Sequence, residues 1–150
     1  MQLVQASDAS QLSGLSPHQL REWCGRRAVL VPDVPAAGRG RHALFSWQTI
    51  LALRILLEIH DRFGAEVGAW RVAIGQCRDL LRGRPFPGLW GVSISFPSCT
   101  EAQLVEYHSP HLIDPLLTIP LAPHLEALAL AFSMPENQQL PLFSAVEIRR

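Results

Sequence analysis

The stretch SGLSPHQLREW, residues 13–23, limits what this chain can fold into more than any other. Gly14 suits a left-handed turn position that a Cβ would disfavour. Ser16 has the side chain of a helix N-cap, and Pro17 then falls on the first helical position, where its missing N–H costs nothing. Upstream, Ser7 is placed to cap a short helix reaching about Leu12, with Ala6, Ala9 and Leu12 on one face. Downstream, Leu20 and Trp23 are three apart and face inward. Two short helices joined by a glycine-containing turn make a helix-turn-helix, and the rest of the chain has to pack around one.

The next segment, AVLVPDVPAAGRGRHALFS (28–46), reads as a short strand, a Pro/Gly loop and a second strand near 43–45, together a β-hairpin wing. Ser46 then caps a long helix from Trp47 to about Phe63, ended by Gly64, with Arg54, Glu58 and Arg62 spaced for i,i+4 charge pairs. Residues 66–82 predict a further helix with Val67, Trp70, Ile74, Cys77 and Leu81 on one stripe. RGRPFPG (82–88) reads as a linker. LWGVSISF and AQLVEYH are strand-like and joined by the turn PSCTE. LIDPLLTIPL adds a third strand, which Pro115 and Pro120 push to an edge or a bulge. PHLEALALAF (123–132) predicts a helix. The fold class is therefore α+β. The expected organisation is a helix-turn-helix domain over 1–82, a small β-rich interaction or dimerisation unit over 83–132, and a tail over 133–150.

Charge divides the same way. The 150 residues have a formal net charge of zero, but residues 1–84 carry +4 and residues 85–150 carry −4. A cationic front half points to an anionic partner. The most exposed form of that charge is AGRGRHALFS, where Arg39, Arg41 and His42 stand beside two glycines. All 13 basic residues are arginine. Cys24, Cys77 and Cys99 are odd in number and contain no CxxC pair, which argues against a disulfide framework or a zinc site and fits a reducing cytoplasm. No basic segment followed by an apolar run opens the chain, and Arg54 and Glu58 interrupt the most apolar stretch, so neither a signal peptide nor a membrane span is expected. YHSPH (107–111) offers histidines and a serine without a nucleophile elbow or an acid partner. His108, His111 and His124 are the histidines that a fold would have to bring together. No catalytic residue, metal site or cofactor is assigned. Trp23, Trp47, Trp70 and Trp90 are assigned to the core, and the cysteines to packing or loops.

SQLSGLSPHQLREW, followed by a basic glycine-rich wing, FS and an apolar helix, resembles the MerR-type winged helix-turn-helix DNA-binding family over roughly residues 4–80. The resemblance implies that residues 16–23 form a recognition helix in the major groove of duplex DNA. Arg21 then falls where the family has a backbone-contacting arginine, and His18 and Gln19 where side chains reach bases or phosphates. The implied DNA-facing set is Ser16, Pro17, His18, Gln19, Arg21 and Arg26, with Arg39, Arg41 and His42 on the wing. General recognition physics points the same way, since amide and imidazole groups read base edges and arginines hold phosphates. Glu22 stands where the family usually has an aromatic, where pairing with Arg26 would shield phosphate from its charge. Ala28 holds the approximate place of a usual glycine. The family's long dimerisation helix has no counterpart.

Gln139-Leu140-Pro141-Leu142-Phe143 resembles the short peptide by which bacterial repair polymerases and related factors bind the DNA sliding clamp. By that resemblance Gln139 docks at one side of a pocket, and Leu140, Leu142 and Phe143 supply its apolar anchor. The alternative is that Leu140, Leu142 and Phe143 alternate as an edge strand or tuck onto the core. The expected function is sequence-specific duplex DNA binding, as a transcriptional regulator or a DNA-binding accessory factor. The alternatives are an adaptor linking a partner such as the clamp to DNA, and an interaction module that no longer binds DNA. A homodimer through residues 66–132 would supply the second half-site that one recognition helix lacks.

Overall fold

The computed structural model describes residues 2–106 and 117–134. A short strand, β1 (Leu3–Gln5), leads directly into α1 (Ala6–Ser13). Gln5 is the N-cap and makes no side-chain capping bond, so Ser7, expected as the cap, lies within the first turn. The cause is tertiary. Leu3, Val4 and Gln5 pair antiparallel with Ser46, Phe45 and Leu44 of β2 (Leu44–Ser46), and this pairing holds the chain extended as far as Gln5.

Gly14 ends α1 with φ at 80°, as its place in the sequence requires. The helix α2 (Pro17–Arg21) follows. Ser16 Oγ accepts from the Gln19 backbone N–H at 3.1 Å, while Gln19 Oε1 accepts from the Ser16 N–H at 2.9 Å. This reciprocal capping box satisfies two otherwise orphaned donors. The helix runs on into a π-helical turn, Glu22–Arg26, and Leu20 and Trp23 are buried.

The strand expected at the start of the 28–46 segment does not form. Val29 and Leu30 are buried in a loop, and Pro32 and Pro35 cannot donate ladder hydrogen bonds. The expected hairpin is reduced to one bridge between Val34 and Leu44, and β2 takes β1 as its strand partner.

α3 (Trp47–Phe63) has the bounds expected from Ser46 and Gly64. Ser46 Oγ accepts from the Thr49 N–H at 3.3 Å, and Gly64 closes the helix at φ 63°. Ile50, Leu51, Ala52, Leu53, Ile55, Leu56 and Ile59 are all fully buried, so α3 is the central helix of the fold rather than a half-exposed one. Of the expected charge pairs, Arg62–Glu58 forms at 3.4 Å. Arg54 turns away from the series and donates to the Leu12 carbonyl at 2.6 Å, satisfying one of the open acceptors at the end of α1.

A 3-10 turn (Val67–Trp70) precedes α4 (Arg71–Arg82), so the helix expected over 66–82 begins with a tighter turn. Val67, Ile74, Cys77 and Leu81 are buried as the stripe predicts, and Trp70 is half-buried edge-on against Phe96. The 82–88 segment is more than a linker. Phe86 is buried, with its ring centroid 5.1 Å from that of Trp47 and 6.0 Å from that of Trp90.

β3 (Val92–Ser98) lies between β4 (Glu101–Glu106) and β5 (Leu117–Pro120) in an antiparallel sheet. Ile94 faces Leu104 on one side and Ile119 on the other. Pro120 is tolerated because β5 is an edge strand. The short helix α5 (Ala122–Ala129) packs on α3, where His124 Nε2 lies 2.7 Å from Glu58 Oε2. Buried residues from 9 to 132 form one continuous cluster, so the β-rich portion and the helical portion share a core.

Candidate nucleic-acid interface

The capping box fixes where α2 begins and therefore which residues its first turn presents. Ser16, Pro17, His18 and Arg21 are exposed, and Gln19 is half-buried. Gln19 also has a structural role in the cap. Its amide oxygen is engaged by the Ser16 N–H, which leaves only the NH2 group to reach outward. Arg26 is largely exposed and lies 3.7 Å from Glu22, the pairing that shields this carboxylate's charge. Ala28 adopts φ 46°, so the position that a glycine would occupy is held in a left-handed conformation by a residue with a Cβ.

Arg39, Arg41 and His42 are exposed on the 35–43 loop, and Gly38 and Gly40 have φ of 67° and 84°. Both residues stand in the left-handed region, which side chains with a Cβ resist. The start of this loop lies beside α2, because Pro35 and Ala36 line one concavity together with Leu20 and Arg21. Among the described residues no carboxylate pairs with Arg21, Arg39 or Arg41.

Other arginines of the cationic half have structural partners, and the sequence reading missed them. Arg71, Arg78 and Arg82 lie on one face of α4. Arg71 donates to the Arg27 carbonyl, Arg78 to the Val31 carbonyl at 2.9 Å, and Arg82 to Asp33 Oδ1 at 2.6 Å. Arg27 pairs with Glu66. Together they fasten the 27–33 segment, which has no strand ladder of its own, along α4. The i,i+4 spacing of Arg78 and Arg82 was a legible signal of a shared face, but their acceptors, the Val31 carbonyl and the Asp33 carboxylate, lie more than 40 residues away, where a sequence does not locate them.

Asp33 is the anchor of this arrangement. It accepts from the Ser46 N–H at 2.7 Å, from Ser46 Oγ at 3.0 Å and from Arg82. Burial pushes its carboxyl up, but hydrogen bonds from the Ser46 backbone, Thr49, Arg82 and the Ser46 hydroxyl outweigh that and hold it below the usual aspartate range. The loop carrying Arg39 and Arg41 is thus anchored at its base by a carboxylate that stays ionised.

The remaining chemistry-bearing residues are placed as follows. Burial pushes the Cys24 and Cys77 thiols up to about 12, with Arg78 partly offsetting this at Cys24, so neither is a thiolate near neutral pH. Cys99 is exposed. His124 is buried against Glu58, and burial lowers its pKa despite that carboxylate. His108, His111 and the clamp-like residues Gln139, Leu140, Leu142 and Phe143 lie outside the described residues. Among the described residues, no three His, Cys, Asp or Glu side chains group as metal ligands would, and no helix is long and apolar enough to cross a membrane. No protein-family model matches the sequence, and no curated protein is significantly similar to it.

Proposed function

We propose that this chain is a cytoplasmic protein that binds duplex DNA as a MerR-type winged helix-turn-helix does. In this reading α2 enters the major groove and the 35–43 loop acts as the wing. His18 and the Gln19 amide NH2 face base edges, while Arg21, Arg39 and Arg41 hold phosphates. The observation that carries the reading is the contrast between two sets of arginines. Arg27, Arg54, Arg71, Arg78 and Arg82 have partners within the fold, whereas among the described residues no carboxylate pairs with Arg21, Arg39 or Arg41, which stand on two adjacent segments. Exposed cations of this kind on a capped helix and a neighbouring loop suit a polyanion better than a neutral ligand.

Duplex binding measured as a function of salt tests this. Each phosphate contact adds about 0.9 to the log–log salt slope, so replacing Arg39 and Arg41 together with alanine lowers the slope by about two. The paired-arginine variant Arg62→Ala leaves the slope unchanged. A parent protein that binds no duplex at about 50 mM salt overturns the reading. The protein would serve as a regulator of transcription or, if the 139–143 peptide engages the sliding clamp, as an adaptor between the clamp and DNA.

A further inference from the structure

Between α2 and the 35–43 loop lies an apolar concavity of about 310 Å3, partly open to solvent. Leu20, Cys24 and Phe45 are its buried floor, and Pro35 and Ala36 are exposed at its rim. Arg21 is its one charged lining residue among the described residues, and none of their carboxylates pairs with it. An apolar space with a single polar group at its edge is the usual form of a small-molecule site.

We propose that this concavity binds small amphipathic carboxylates, with the apolar body over Leu20, Cys24 and Phe45 and the carboxylate paired with Arg21. Size limits the body. A dry cavity of about 150 Å3 accepts benzene, so roughly twice that volume accepts two fused rings. Charge limits the head group. One guanidinium matches one carboxylate through two parallel N–H donors, and no second cation lines the space to balance a dianion. The ligand is held without a covalent bond, because the Cys24 thiol stays protonated at neutral pH.

The consequence for DNA rests on the function proposed above. Arg21 is the phosphate-holding arginine of α2 in that reading, and it serves one anion at a time. A carboxylate in the concavity therefore withdraws Arg21 from phosphate and weakens duplex binding, and by linkage duplex DNA weakens carboxylate binding by the same factor.

Naphthalene-2-carboxylate titrated calorimetrically into the full chain, beside the neutral naphthalene-2-carboxamide, tests the site without DNA. The carboxylate is expected to bind with a dissociation constant below about 1 mM. Arg21→Gln should weaken the carboxylate about tenfold and leave the carboxamide unchanged. Ala43→Leu, which fills the space, should weaken both compounds at least tenfold with the thermal transition retained. If that variant fails to fold, Ala36→Leu at the exposed rim replaces it. No binding of either compound to folded parent protein at about 10 mM, roughly ten times that limit, overturns the site. Undiminished carboxylate affinity in Arg21→Gln overturns the pairing. A duplex competition then reads the consequence, with saturating naphthalene-2-carboxylate weakening duplex binding several-fold. If the parent binds carboxylate but no duplex, the DNA reading falls and the site stands. If it binds duplex but no carboxylate, the reverse holds.

Discussion

Arg82 on the last turn of α4 lies 2.6 Å from Asp33 at the base of the cationic loop. These residues are distant in sequence, and their contact joins the helix that packs on α3 to the segment that carries Arg39 and Arg41. Asp33 also holds Ser46, the N-cap of α3, through both its backbone N–H and its hydroxyl. One carboxylate therefore sets the relation of loop, central helix and α4.

Asp33→Ala is expected to destabilise the fold by about 2–3 kcal/mol at neutral pH, since it strands the Ser46 N–H and frees Arg82. The native carboxyl titrates below its unfolded value of about 4, so its stabilisation is complete above that pH and is lost as pH falls through the depressed native value. Urea unfolding between pH 2 and pH 7 should show an acid loss of stability in the parent that is smaller in Asp33→Asn.

Ala28→Gly is expected to stabilise the protein by about 0.5–1 kcal/mol. A left-handed conformation costs a residue with a Cβ about 1–2 kcal/mol, and the greater unfolded-state freedom of glycine returns part of that. Ala28 has φ 46° and is exposed, so no packing is lost. An unchanged or lowered thermal midpoint would contradict the strain.

Gln19 and Arg21 should separate by phenotype. Gln19→Ala removes half of the capping box and costs about 0.5–1 kcal/mol of stability, with Ser16→Ala at least as costly. Arg21→Ala should leave thermal stability within about 0.5 kcal/mol and weaken duplex binding across all sequences. Loss of stability in Arg21→Ala together with unchanged duplex binding would place Arg21 in the fold.

His124 sets a pH dependence near neutrality. Burial lowers its pKa, and Arg54 and Arg62 reinforce this while Glu58 opposes it. The unfolded histidine takes up its proton near pH 6.5 and the native one only at lower pH. Stability is therefore full above about pH 6.5, falls as pH drops toward the native value and then levels. His124→Gln, which can still donate to Glu58, should flatten the decline in denaturant midpoint between about pH 7 and pH 5. A parent whose stability rises over that interval would reverse the assignment.

The clamp-like peptide is tested on the full chain. A purified bacterial sliding clamp should bind at roughly micromolar affinity, about −8 kcal/mol. Replacing Gln139 and Phe143 together with alanine should abolish that binding while duplex affinity stays unchanged. Binding that survives the double substitution removes the adaptor reading.

What the sequence determined by itself is local. Gly14, the Ser16–Pro17 start of α2, the bounds of α3 between Ser46 and Gly64, the 92–106 strand pair and the edge position of β5 were all legible. Caps, left-handed turns and missing proline N–H groups act within a few residues and are written in residue types. Only tertiary structure decided the rest. β1 exists because residues 44–46 come alongside it, and that pairing fixes where α1 starts. The first strand of the hairpin expected over 28–46 is absent, and the 28–33 segment instead finds hydrogen-bond partners on α4. Phe86 became core because Trp47 lies beside it. For the candidate interface, residue type marked Arg21, Arg26, Arg39 and Arg41 alike. Apart from the local Arg26–Glu22 pair, which arginines find partners within the fold depended on carboxylates and carbonyls some 40–50 residues away. An ion pair or a backbone acceptor at that separation carries no local signature, because it is formed by packing rather than by the chain's own periodicity.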